Sequence, residues 1–270
     1  MTAEAQESPA EPLEELARRL ERYPADTYPV QHATAQFHLG VTLAGHGRLE
    51  DADAALEVAC RLFRPDQLPV EHAKAANARG AVQRMAGRLD DAAASFGRAA
   101  ELFKRGDLAL EEGAARFNLG LVERERDGAA AVTAFEAARA LLDREKVPAQ
   151  AAAVARELGS ALVASGRAEE AVPVLEEALA LASGAGDRAG MGGSANVLGL
   201  ARLAAGRPAE AVAALEQALA ANPRSVRPDG YAMAKANLAL AHETAGDTAR
   251  ARLAALQALG TPGAAEPVRA

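Results

Sequence analysis

An all-α fold, an α-solenoid of stacked antiparallel helix pairs, is the class that this 270-residue chain predicts, on three observations. The first is self-similarity: Gly40, Gly80, Gly120, Gly159 and Gly199, with Ala239 in the sixth copy, recur about every 40 residues, and the spacing slips once, by one residue. Seven residues downstream stand Gly47, Gly87, Asp127, Gly166, Gly206 and Gly246, followed by Ala52, Ala92, Ala131, Ala171, Ala211 and Ala251. A second alanine closes each unit at Ala59, Ala99, Ala138, Ala178, Ala218 and Ala258. A fixed period in this range marks units that stack on their neighbours. The second observation is helical apolar spacing, broken once per unit by a glycine turn such as Ala44-Gly45-His46-Gly47-Arg48 or Ala204-Ala205-Gly206-Arg207-Pro208, which makes each unit a helical hairpin. The third is composition: no stretch alternates as a strand would, aromatics are 3% and tryptophan is absent, so the helices pack closely through Ala and Leu, both strong helix formers.

The array opens on a half repeat at residues 11–23, in which Leu16 aligns with Leu56 and Tyr23 with Phe63. Six hairpins follow at residues 30–63, 69–105, 109–143, 148–183, 187–221 and 228–259, so the solenoid covers residues 11–259. Pro29, Pro69, Pro148 and Pro228 each stand just before a first helix as punctuation between repeats. Glu50, Asp51, Asp90, Asp91, Glu169, Glu170 and Glu210 gather where second helices begin, and negative charge favours a helix amino terminus. Pro208 suits a first turn, whereas Pro173 falls several residues into its helix and predicts a bend near Val172. The third repeat departs most, with Glu123, Glu125 and Asp127 in place of apolar or turn residues. Residues 1–10 and 260–270 read as disordered tails. The last helix, 248–259, carries Leu253, Leu256 and Leu259 on one side with no capping helix after it, so that end is expected to dock against a second copy or a partner domain.

A net charge of -7 argues against general affinity for nucleic acid or anionic lipid. No segment approaches membrane-spanning length, and the acidic start, Met1 to Glu11, lacks the basic and apolar parts of a secretion signal. A cytoplasmic location is expected. The single cysteine, Cys60, sits on an apolar helical face as a small core residue, and no internal disulfide can form. Of 30 basic residues only Lys74, Lys104, Lys146 and Lys235 are lysine, a bias that fits a GC-rich bacterial genome.

Chemistry-bearing constellations are sparse. Gly184-Ala185-Gly186 with Gly190 imitates a dinucleotide-binding turn, but it follows a helix instead of a strand and reads as an inter-repeat loop. His32 and His72 occupy one point in successive repeats, as a feature of the unit and not a metal pair. Ser160 and Ser194 have no histidine at a legible spacing. No catalytic residue, metal site or cofactor is expected, and the chain is not expected to be an enzyme.

Position by position the units resemble the tetratricopeptide repeat, whose hallmark is leucine-glycine in the first helix, a turn glycine, and alanines in the second. Here that reads Leu39-Gly40, Gly47, Ala52, Leu56 and Ala59, then Leu158-Gly159, Gly166, Ala171, Leu175 and Ala178, and the resemblance covers residues 30–259. The 40-residue unit is similar to the longer-helix variety of kinesin light chains, G-protein-signalling modulators and bacterial regulators. Sel1-type, HEAT-type and pentatricopeptide arrays do not explain this glycine and alanine register. The resemblance implies a right-handed superhelix whose first helices line a concave groove. It places Phe37, Lys74, Asn77, Arg84, Phe117, Leu121, Arg124, Arg156, Asn196 and Leu200 on that lining as partner-binding residues. Arg84 and Arg124 share a register on adjacent hairpins, where they could hold an acidic ligand between them or be merely solvated charges, with Glu123 and Glu125 close enough to pair with Arg124. A chaperone-type carboxylate clamp is not expected, because only Arg156 keeps a suitable charge.

Three functions follow as expectations. The first is a non-enzymatic adaptor that holds a peptide or helix of another protein, with an acidic partner suited to the arginines and self-association through the C-terminal repeat. The second is a bacterial regulatory sensor whose array binds a signalling peptide or small molecule and changes shape. An enzyme would need a pocket built from residues outside the repeat pattern.

Overall fold

A computed structural model describes residues 13–126, 128–143 and 146–261, apart from the side chain of Ala129. The expected tails therefore lie outside the described residues, except Gly260 and Thr261, and so does the expected turn residue Asp127. Among the described residues there is no strand. The elements are α1 (Leu13–Arg22), α2 (Pro29–Gly45), α3 (Leu49–Leu62), α4 (Pro69–Met85), α5 (Leu89–Arg105), α6 (Ala109–Arg126), α7 (Ala129–Leu141), α8 (Pro148–Ala164), α9 (Ala168–Gly184), α10 (Arg188–Ala204), α11 (Pro208–Ala221), α12 (Pro228–Thr244) and α13 (Thr248–Leu259). This is the expected all-α solenoid class. The chain divides into two compact units, residues 1–126 and 127–270.

In the first unit α1 packs on α2, α2 pairs with α3 and α4 with α5, and each second helix also packs on the first helix that follows it. The second unit repeats the scheme with the hairpins α8/α9, α10/α11 and α12/α13. The repeat glycine permits this pairing in α2, α4, α8 and α10, whereas α12 carries Ala239 at that place. A Cβ placed on Gly199 would come within 2.5 Å of Leu215 Cγ, and one on Gly40 would stand 2.5 Å from Leu56 Cγ. Both leucines are wholly buried, so the glycine and its downstream leucine form one knob-and-notch contact, sixteen residues apart. In the fourth repeat Gly159 and Leu175 meet in the same way.

Each hairpin turns through a left-handed residue, such as Gly47 at φ 73° and Gly206 at φ 73°, a conformation glycine adopts without steric cost. In the third repeat the left-handed residue is Gly128, at φ 77°, because α6 runs on to Arg126. Arg48, Arg167 and Arg207 stand just after such turns and reach acids three residues on; Arg48 meets Asp51 at 2.6 Å and Arg167 meets Glu170 at 2.8 Å. Pro29, Pro69, Pro148, Pro208 and Pro228 all occupy the first turn of a helix, where no intrahelical hydrogen bond is lost. Helix α9 continues through Pro173 to Gly184. Gly260 and Thr261 close α13: Thr261 is buried, and its hydroxyl donates to the Gln257 carbonyl at 2.8 Å.

The register histidines tie successive repeats together. His32 Nδ1 lies 2.8 Å from the Tyr23 carbonyl oxygen and His72 Nδ1 lies 2.9 Å from that of Phe63. Each ring thus satisfies a carbonyl at the end of the preceding second helix, a group the helix itself leaves without a partner.

Candidate functional site

The face to which the sequence assigns binding is built from α2, α4 and α6 in the first unit and α8, α10 and α12 in the second. Within each unit these first helices lie side by side. Helical periodicity aims one register, the residue after the repeat glycine, at solvent: Val41, Ala81 and Leu121 in the first unit and Ser160, Leu200 and Leu240 in the second. Val41 is 48% exposed, Leu240 is 48% exposed, and Leu121 and Leu200 are half-buried. Met233, about two turns earlier on α12, is also exposed. Each unit thus presents aliphatic side chains of its own on its first helices, Val41 and Leu121 in the first and Leu200 and Leu240 in the second.

Beside these side chains the predicted polar residues have found one another. Asn118 Nδ2 donates to Asn77 Oδ1 at 3.3 Å, between α6 and α4. Asn237 Nδ2 donates to Asn196 Oδ1 at 2.9 Å, between α12 and α10. Asn77 is half-buried, whereas Asn196 is buried. Both pairs are 41 residues apart, one residue more than the repeat.

The arginines divide similarly. Arg84 Nη1 pairs with Glu125 Oε1 at 2.9 Å, each side chain being 36% exposed, so the guanidinium is already neutralised across the α4/α6 boundary. Arg124 stands exposed at the same register on α6, and the neighbouring Glu123 pairs with Arg126 at 2.9 Å. Lys74 is exposed on α4. In the second unit Arg156 pairs with Glu157 at 3.0 Å and lies over α10, where Gly193 leaves room for it: a Cβ there would stand 3.3 Å from Arg156 Cδ. Phe37 and Phe117 are half-buried; Phe37 packs into the cluster of Ala33, Ala59 and Phe63 and meets the His38 ring edge-on at 5.4 Å. The predicted residues thus fall into local groups within each unit, with the aliphatic row most open to a partner.

A second set of groups, on the side of the second helices, was not foreseen. Asp53 is buried under Arg79 and Arg88, at 2.8 Å and 2.9 Å, and Arg79 also reaches Glu57 at 2.9 Å. Burial would raise the Asp53 carboxyl, but hydrogen bonds from Arg79 and Arg88 outweigh it and hold the group below the usual carboxylate range. Beside it, burial pushes the Cys60 thiol up to about 11, which makes it a poor nucleophile at neutral pH. Among the described residues no group of three or more His, Cys, Asp or Glu is placed to hold a metal ion, and no helix is long and apolar enough to cross a membrane.

Comparison with known proteins agrees with the geometry. Tetratricopeptide repeat family models match residues 150–224 and 196–267. No curated protein sequence matches the chain significantly. Among solved structures, the apo form of RapI is similar with a TM-score of 0.73 at 14% identity, over 92% of this chain and 69% of that one. A putative kinesin light chain from Podosopora anserina with nearly identical TPR-like repeats is similar with a TM-score of 0.57 at 20% identity, over 72% of this chain and 94% of that one. The Cut9–Hcn1 hetero-tetramer of APC/C is similar with a TM-score of 0.64 at 16% identity, over 97% of this chain and 45% of that one.

Proposed function

This chain carries tetratricopeptide repeats, and from that premise we propose that it is a non-enzymatic adaptor whose first-helix face holds a peptide or helix of another protein. The observation that carries the reading is the aliphatic row of each unit, Val41 and Leu121 in the first and Leu200 and Leu240 in the second, exposed at Val41 and Leu240 and half-buried at the other two. An amphipathic helix or extended peptide docks by laying apolar side chains on such a row, and affinity comes from many modest contacts on a surface that does not have to reorganise. Arg84 is neutralised by Glu125 at 2.9 Å, so acidic groups on the partner would add to the binding at the exposed Lys74 and would not dominate it. Assembly with a second protein, as in the Cut9–Hcn1 hetero-tetramer, is the behaviour this reading extends to the present chain.

The reading includes self-association through the C-terminal repeat. Leu253, Leu256 and Leu259 of α13 are exposed, and Leu256 stands where earlier repeats place Glu57, Glu176 and Glu216. Its exposure therefore does not follow from the lack of a next hairpin. The only charged side chains of α13 are Arg250 and Arg252, which suit an acidic surface of a second copy of a chain with net charge -7.

The test is affinity capture from the native cell with the intact chain as bait. Val41→Asp together with Leu240→Asp is expected to abolish capture of a stoichiometric protein that the unaltered chain retains. Capture unchanged by this pair would overturn the proposal, and a further bait with Arg84→Glu and Arg124→Glu measures the acidic contribution separately.

A further inference from the structure

The second unit also carries a hollow between its second helices. In the second unit α9 and α11 each pack firmly on α10 but scarcely on one another, which leaves a furrow between two second helices with α10 as its floor. The furrow encloses about 610 Å³, within the range of roughly 300 to 1,000 Å³ that small-molecule sites occupy. Leu179, Met191 and Leu198 form its apolar middle.

Its two ends differ. At one end Glu176 and Arg202 pair at 2.8 Å, with Glu210 3.7 Å from the same guanidinium, so the charges there are satisfied. At the other end stand Ser183 and Arg188. Arg188 is exposed, and its Nη2 only grazes the Ala220 carbonyl, at 3.4 Å. Among the described residues it pairs with no carboxylate. One end of an apolar slot is thus cationic and the other is neutral.

The equivalent furrows in the first unit are built otherwise, which isolates the feature. Between α3 and α5 the registers of Leu179, Met191, Leu198 and Gln217 are held by Cys60, His72, Arg79 and Arg98. Arg98 Nε donates to His72 Nε2 at 2.9 Å and Arg79 is bound to Asp53, so polar side chains fill that furrow to about 280 Å³. Between α1 and α3 the floor is apolar, with Leu39 and Leu43, but its cation Arg48 is paired with Asp51 at 2.6 Å. Only the α9/α11 furrow, of these three, joins an apolar floor to an uncompensated cation.

We propose that the furrow between α9 and α11 binds a small amphipathic carboxylate, with its acid on Arg188 and Ser183 and its apolar body along Leu179, Met191 and Leu198. The charged groups of the lining stand at its ends and Gln217 is the one polar side chain among the apolar registers, so the middle offers a single amide to the backbone of a peptide, and the occupant is a free small molecule. Apolar burial supplies the affinity and the single charge-assisted contact fixes the orientation. This site is separate from the partner-binding face, and either can fail without the other.

The full chain, which has no tryptophan, is titrated with dansylaminoundecanoate, followed by displacement with decanoate and with decanol. Expected are saturable single-site enhancement of dansyl emission, displacement by decanoate about ten-fold better than by decanol, and about ten-fold weaker binding in Arg188→Gln. Ala220→Trp, at an exposed position on the rim, is expected to block the furrow and abolish binding while helicity by circular dichroism is retained. Non-saturable binding, equal displacement by decanol, or full affinity in both Arg188→Gln and Ala220→Trp would overturn the proposal.

Discussion

At the scale of single residues the repeat is enforced by absence of a side chain. Gly199 exists because Leu215 fills the place of its Cβ, whereas Gly97 on α5 has nothing within 4 Å of the corresponding position. Two chemically identical substitutions should therefore act in opposite directions. Gly199→Ala forces overpacking and is expected to lower stability by about 1–3 kcal/mol. Gly97→Ala removes backbone freedom from the unfolded chain and is expected to raise it by about 0.5–1 kcal/mol. Urea denaturation of the two variants against the unaltered chain checks both signs, and equal effects would deny the knob-and-notch account.

At the scale of helices the informative contacts are those between successive first helices. The Asn196–Asn237 pair joins α10 to α12 at 2.9 Å with one partner buried. Asn237→Ala leaves the Asn196 carbonyl oxygen without that donor and is expected to cost about 1–3 kcal/mol. The double variant Asn196→Ala and Asn237→Ala is expected to cost clearly less than the sum of the singles, because nothing is then left unsatisfied, with a coupling of about 1 kcal/mol. Strict additivity would show that the pair does not bind the helices. The same logic explains why this surface gives a peptide few free amides in the second unit: the helices already use them.

At the scale of the whole molecule, the energetics of each unit are those of neighbour-on-neighbour stacking, and surface is the product. A net charge of -7 keeps such a surface soluble and repels polyanions. Against that background the leucines of α13 stand out, Leu253 and Leu256 each being 58% exposed. Sedimentation velocity is expected to show mass rising with protein concentration, and Leu256→Glu, which restores the acid found at this register in other repeats, is expected to hold the chain at monomer mass. A monomer at every concentration would remove self-association from the proposed function.

The sequence by itself determined the hairpins, their count and their register, because glycine turns, helix-opening prolines and the small residue of each first helix are local and recur from copy to copy, so the units repeat one message. Gly128 at φ 77° in the third repeat, where Asp127 was expected to turn, shows how weakly a single irregular copy is specified. What only tertiary structure decided is which polar groups remain available. Arg84 is matched to Glu125 and Asn196 to Asn237, each 41 residues away, while Arg79 is matched to Asp53, 26 residues away. Periodicity places such side chains on a face, but their partners depend on how long chains from neighbouring helices meet. The α9/α11 furrow arises the same way: its emptiness is set by side-chain volumes contributed from three helices at once, and no one of those helices records it.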